Sequence, residues 1–138
     1  MIFRIDSTTS VPVYAQIIEQ VKRAIASGVI ERGDVLPSRR ELSLELEINP
    51  LTVLKAYKEL ATEGLIEIKQ GLGCFVTGSA GSAVDEYRKQ TLLKGMDQLI
   101  SDARAFGLEM EELEEMVRER IETAIREETD VRYRRKRA

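Results

Sequence analysis

Asn49-Pro50-Leu51-Thr52-Val53-Leu54-Lys55-Ala56-Tyr57 is the stretch whose reading decides the fold. Asparagine is a favoured helix N-cap, and a proline directly after it sits where its missing N–H leaves nothing unsatisfied and its fixed φ already suits a helix. A helix beginning at Asn49 is therefore predicted. Val53, Ala56, Tyr57 and Leu60 recur at i, i+3, i+4 and i+7 and form one apolar stripe, while Leu51, Thr52, Lys55 and Lys58 lie on other faces. The second set presents a hydroxyl, methyl groups and ammonium groups. A DNA major groove, with its hydrogen-bond donors and acceptors and its thymine methyl, suits that chemistry. An ordinary solvated helix carries the same pattern, so the neighbouring sequence has to decide between them.

Immediately upstream, Ser38-Arg39-Arg40-Glu41 reads as a capping box, a serine hydroxyl taking an N–H of the first turn and a glutamate reaching back three residues later. A short helix with Leu42 and Leu46 inward then runs into Glu47-Ile48 and the Asn49 cap. Two helices joined by a few residues make a helix-turn-helix. Further back, Ile17, Ile18, Val21, Ala24 and Ile25 have helical spacing between Pro12 and about Ser27, and Gly28 stops that helix. Val35-Leu36-Pro37 is held extended because the residue before proline avoids the α region. Ile2, Phe3 and Ile5 fit either a short strand or a docked arm. Downstream, Gly64 ends the helix that starts at Asn49. Ile66 and Ile68 then alternate with Glu67 and Lys69, Gln70-Gly71-Leu72-Gly73 reverses the chain, and Cys74-Phe75-Val76-Thr77 returns. A hairpin in that place is a wing, and its tip is a second candidate for touching DNA.

Composition narrows the function. The 138 residues are 43% hydrophobic and 33% charged, as expected of a folded chain of one domain with an extension. No apolar run approaches the roughly 20 residues that span a bilayer, and the N-terminus lacks a signal-peptide layout, so a cytoplasmic protein without membrane contact is expected. One cysteine and no histidine exclude an internal disulfide, the usual zinc sites and a Ser-His or Cys-His nucleophile. Carboxylate pairs such as Glu111 with Glu112 lie in a charged run that reads as a solvated helix face. No enzyme, no cofactor and no metal are expected. The net charge is −3, and residues 1–78 carry nine basic against ten acidic side chains. Because screening confines each charge to about 8 Å at cellular salt, any DNA surface must be a local patch.

The motifs Pro12-Val13-Tyr14-Ala15-Gln16-Ile17, Gly33-Asp34, Leu36-Pro37-Ser38-Arg39-Arg40-Glu41-Leu42, Asn49 with Thr52-Val53, Ala56-Tyr57, Glu63-Gly64-Leu65-Ile66 and Gln70-Gly71-Leu72-Gly73-Cys74-Phe75-Val76 resemble, in this order, the GntR family of bacterial transcriptional regulators. The resemblance covers roughly residues 10–77. The Asn-Pro opening of the third helix and the short C-terminal region are similar to the YtrA-like branch. It implies a winged helix-turn-helix that binds double-stranded operator DNA as a homodimer. Carried over by position, Arg40 at one helix start, Thr52 and Lys55 on the next helix, and Gly71 and Gly73 on the wing match the family's DNA-contact positions; Ser38, Arg39, Asn49, Leu51 and Gln70 beside them are further candidates for the DNA surface. Arg40 matches the arginine of the family's Pro-Ser-x-Arg-Glu-Leu motif. Arg39, Leu51 and Cys74 depart from the family's common residues. An effector is not readable. The rival from another class is a winged helix used only for protein contacts.

Gly78-Ser79-Ala80-Gly81 is linker-like and marks the expected boundary of a DNA-binding domain at residues 1–78. Beyond it, Leu92, Met96, Leu99, Ala103 and Phe106 step by 4, 3, 4, 3 until Gly107, and a second helix from about Glu109 to Glu128 carries Leu113, Val117, Ile121 and Ala124 in a stripe. A two-helix hairpin covers little of its own apolar surface, so residues 79–131 are expected to dimerise. Residues 132–138, with Arg132, Arg134, Arg135, Lys136 and Arg137, read as a disordered basic tail that touches DNA or an acidic helix face. The fold class is thus α+β, mostly α: an N-terminal winged helix-turn-helix followed by a helical hairpin for dimerisation.

Overall fold

The computed structural model describes residues 1–77 and 81–137. Its elements in chain order are α1 (Val13–Ala26), β1 (Val35–Leu36), α2 (Arg39–Leu46), α3 (Pro50–Thr62), β2 (Ile66–Lys69), β3 (Gly73–Val76), α4 (Ser82–Ala105) and α5 (Met110–Arg137). The expected winged helix-turn-helix with a helical C-terminal region is the observed architecture. The chain divides into two compact units, Met1–Thr91 and Leu92–Ala138.

In the first unit both expected N-caps form, while the return half of the capping box, from the Ser38 N–H to the Glu41 carboxylate, does not. Asn49 accepts the Leu51 N–H at 2.9 Å, Ser38 accepts the Glu41 N–H at 3.0 Å, and Gly28 and Gly64 take the left-handed conformation at φ 77° and 78° behind α1 and α3. The apolar stripes then meet. Ile17, Val21 and Ile25 of α1, Leu42 of α2 and Val53, Ala56, Tyr57 and Leu60 of α3 are buried together with Leu65, Ile66, Cys74 and Val76. Fully burying each such aliphatic side chain contributes about 1.5–3 kcal/mol, so this cluster is what holds the unit.

β3 lies between β1 and β2 in an antiparallel sheet, with Leu36 opposite Cys74 on one side and Ile66 opposite Val76 on the other. The extended Val35–Leu36 segment is thus a third strand. The N-terminal residues are a docked arm and not a strand. Phe3 enters the core, and two glutamines of α1 substitute for a neighbouring strand. Gln20 accepts the Arg4 N–H and donates to the Arg4 carbonyl (2.9 and 2.7 Å), and Gln16 does the same for Asp6 (2.9 and 2.9 Å).

The first compact unit runs past the linker-like stretch to Thr91, inside α4, and the first turns of α4 are tied to α1. Val84 is buried in the core, the Tyr87 hydroxyl donates to Glu19, and Arg88 donates through Nε and a terminal nitrogen to the Ala26 carbonyl (3.1 and 3.0 Å), satisfying a free carbonyl at the end of α1. Gly78, Ser79 and Ala80 of the anticipated linker lie outside the described residues. At the other end of the chain, α5 continues through the basic residues to Arg137. Arg132 pairs with Glu128 one turn back, the Arg137 guanidinium lies 4.9 Å from the Tyr133 ring, and positive charge at a helix C-terminus is favoured by the helix dipole.

The second unit is a different kind of object. Among its described residues the buried hydrophobic ones are Ala103 and Leu113. Of the anticipated dimer seam, Leu92, Met96, Leu99 and Phe106 are exposed, Phe106 by 78%; Val117 is half-buried and Ile121 exposed. Leu99, Leu113, Met116, Val117, Arg120, Ile121 and Ala124 line a shallow apolar cleft of about 360 Å³. Among the described residues no helix is long and apolar enough to cross a membrane.

Candidate nucleic-acid interface

Three segments of the first unit present the anticipated residues. The first is the start of α2, which is fixed from α3. Tyr57, on the buried stripe of α3, donates its hydroxyl to the Pro37 carbonyl at 2.7 Å and so anchors the residue before the Ser38 cap. Burial, and secondarily the nearby Cys74, Glu41 and Glu45, raise the Tyr57 phenol well above its ordinary range, so it remains a donor throughout the physiological range. From this anchor Arg39 and Arg40 project exposed, while Ser43 uses its hydroxyl on the Arg40 carbonyl at 2.9 Å.

The second segment is α3. Leu51 and Lys55 are exposed and Thr52 is half-buried. Asn49 and Ser38 serve first as caps, their side-chain oxygens already holding backbone N–H groups. Lys55 does not extend freely: its Nζ sits 3.8 Å from the centroid of the Tyr14 ring, a residue of α1 that the sequence reading did not single out as functional.

The third segment is the wing. Gly71 and Gly73 have φ of 78° and 122°, and the Leu72 N–H donates to the Lys69 carbonyl at 3.0 Å, closing the tip. A side chain at either glycine would be strained, whatever the space around it. The tip carries exposed Gln70 and Leu72, and Lys69 holds its ammonium 5.2 Å from the Phe75 ring across the hairpin. Lys69 is a wing cation that the alternation pattern assigned only to the solvent face.

Ser38 and Arg39 share one groove of about 630 Å³ with Gln70, Gly71 and Gly73, floored by Leu54 and Tyr57. Arg40, Asn49, Leu51, Thr52 and Lys55 lie outside its lining. The cap and wing residues are therefore brought together, and the exposed face of α3 stands as a separate patch. Cys74 also lines the groove, yet its residue is buried and burial pushes the thiol up to about 11, so it is a thiol and not a thiolate at neutral pH. As chemistry, the exposed face of α3 and the segments before and after it offer guanidinium, ammonium, hydroxyl and apolar groups, which are the groups that bind phosphates and read base edges.

Residues 13–76 match the family described as "Bacterial regulatory proteins, gntR family". The chain is 41% identical over 116 residues to the HTH-type transcriptional repressor YtrA of Bacillus subtilis (strain 168), covering 84% of this chain and 89% of that one. It is similar to the crystal structure of a transcriptional regulator from Oenococcus oeni, with a TM-score of 0.69 and 33% identity over 85% of this chain and 97% of that one. It is also similar to YtrA from Sulfolobus acidocaldarius, a GntR-family transcription factor, with a TM-score of 0.55 and 33% identity over 70% of this chain and 99% of that one.

Proposed function

The chain belongs to the GntR family of bacterial regulatory proteins, and from that premise we propose that it is a sequence-specific DNA-binding transcriptional repressor, a cytoplasmic protein and not an enzyme. The observation that carries this reading is the exposed face of α3, capped by Asn49 and Pro50 and flanked by the arginines of α2 and the glycine tip of the wing. In this reading Leu51, Thr52 and Lys55 address base edges in the major groove, Arg39 and Arg40 neutralise backbone phosphates, and the wing with Gln70, Gly71 and Gly73 lies along an adjacent stretch of backbone.

The operator is bound as a homodimer. Support for this comes from the second unit, where Leu92, Met96, Leu99 and Phe106 are exposed apolar side chains in one heptad-spaced series. A second copy covering that series joins two reading heads, and a two-fold protein reads a palindromic operator. Mobility shifts of the full chain on a duplex from the promoter region of its own gene, against a random duplex of equal length at stated salt, test the reading. Preference for the promoter duplex is expected. Equal affinity for both would overturn sequence-specific regulation and leave a winged helix used for protein contacts.

A further inference from the structure

The stacking of Lys55 on Tyr14 is used neither by the core nor by the functional reading above, and it has a physical consequence for recognition. A lysine on the face of a DNA-reading helix is a flexible four-carbon stem with a strongly hydrated head, and ordering it on binding costs affinity. Here the head already has a partner in the free protein. The Nζ lies 3.8 Å from the Tyr14 centroid, well inside the roughly 6 Å over which a ring attracts a cation. The ring is itself held, because Tyr14 stands in the first turn of α1 and packs against the core cluster. Among the described residues Lys55 forms no ion pair with a carboxylate, so its charge is tethered without being neutralised.

We propose that Tyr14 is a positioning residue for operator recognition: its ring holds the Lys55 ammonium in the place from which Lys55 contacts the operator. The inference rests on the reading of α3 as the helix that addresses DNA. A carboxylate in place of the ring would order the lysine equally well but cancel its attraction for DNA, whereas an aromatic face orders it and leaves the positive charge intact. Tyr14 thereby extends the recognition surface from α3 onto α1 without itself contacting a base.

The test is a double-mutant cycle on the full chain, with affinity read for the promoter duplex and for a random duplex at one salt concentration. Tyr14→Leu should lower affinity for the promoter duplex by about two- to tenfold, the cost of ordering on binding one long side chain that the ring no longer holds, with a smaller change on random duplex. Tyr14→Phe, which keeps the ring, should restore wild-type binding. In a Lys55→Met background, Tyr14→Leu should cost nothing further. An undiminished cost in that background, a Tyr14→Phe variant as weak as Tyr14→Leu, or tighter binding by Tyr14→Leu overturns the proposal. A second measurement needs no variant: the Lys55 ε-methylene protons should be shifted upfield by the ring in the free protein and stay so on the promoter duplex, and loss of the shift on binding overturns it as well. A wild-type chain with no preference for the promoter duplex sinks the functional reading itself. Preference without coupling sinks only the role of Tyr14.

Discussion

The two units of this chain bury apolar surface in opposite ways. Residues 1–91 close three helices, a three-stranded sheet and the first turns of α4 on a shared core in which Ile17, Ile25, Leu42, Leu60, Val21, Val53 and Val76 are fully enclosed. The described residues of the second unit, 92–137, bury Ala103 and Leu113 and leave Leu92, Met96, Leu99, Phe106, Ile121 and Ile125 exposed. Both carry helices with regular apolar spacing, so spacing alone does not make a core; enough elements must converge to cover each stripe. The difference separates the tasks. A unit that satisfies itself can hold a rigid reading surface, and one that does not is suited to a second copy of the chain.

Opening the first core should have the largest effect. Leu60 is fully buried in α3, and Leu60→Ala should cost about 2–5 kcal/mol, a large part of the stability of a domain this size. Chemical denaturation followed by circular dichroism measures it. A cost below about 1 kcal/mol would mean that the first unit is not held by this cluster.

Next in size is the seam. Leu99 is 46% exposed and lines the apolar cleft of the second unit, so Leu99→Asp costs little within one chain but places a carboxylate in the contact between copies. Sedimentation equilibrium should show a monomer, and affinity for the promoter duplex should fall by about a hundredfold or more as the two heads lose their effective concentration for each other. A wild-type chain that is itself monomeric and binds tightly would end the dimer reading. Smaller again is Thr52→Ala, which touches neither core nor seam. It should reduce preference for promoter over random duplex by about 1–3 kcal/mol if a base contact is lost. Equal weakening on both duplexes would reassign Thr52 to the phosphate backbone.

What could be read without coordinates follows from the range of the interactions involved. The caps at Ser38 and Asn49 and the stripe through Val53, Ala56, Tyr57 and Leu60 are local, and each was legible within a few residues. The hairpin of β2 and β3 was legible because Gly71 and Gly73 mark its turn. By contrast β1 has two residues, too few to alternate, and it exists because β3 is there to pair with it. The docking of the N-terminal arm depends on Gln16 and Gln20 reaching 10 and 16 residues back, which no pattern announces. At the basic end of α5 a charge run carries no helix signal in the sequence, whereas the helix continues to Arg137, with Arg132 paired to Glu128 and Arg137 set against the Tyr133 ring one turn back. In the candidate interface, Arg39, Arg40, Lys55 and the wing glycines were legible as residues. The contact that orders Lys55 joins α1 to α3 across the fold and was not.

The smallest prediction isolates the first unit. Glu47 closes α2 at φ 54° and ψ 45°, in the left-handed region, and is the non-glycine residue with positive φ among the described residues. Its backbone is committed to that shape because the Glu47 N–H reaches the Leu44 carbonyl (3.4 Å) and the Ile48 N–H reaches the Ser43 carbonyl (3.0 Å), making the tight turn that delivers the chain to the Asn49 cap. For a residue with a Cβ this conformation costs roughly 1–2 kcal/mol, and glycine gives back part of the relief through the extra freedom of its unfolded chain. Glu47→Gly should therefore stabilise the first unit by about 0.5–1 kcal/mol, raising Tm by roughly 2–8 °C for a domain of this size. Association of the chain should be unchanged, because the strain sits in a turn of the first unit and the exposed apolar seam lies in the second. Thermal unfolding together with sedimentation measures both. An unchanged or lower Tm would mean that the Glu47 side chain makes a contact worth as much as the strain. A shift in association would show that the two units are not energetically separate, contrary to the contrast between a closed core and an open seam.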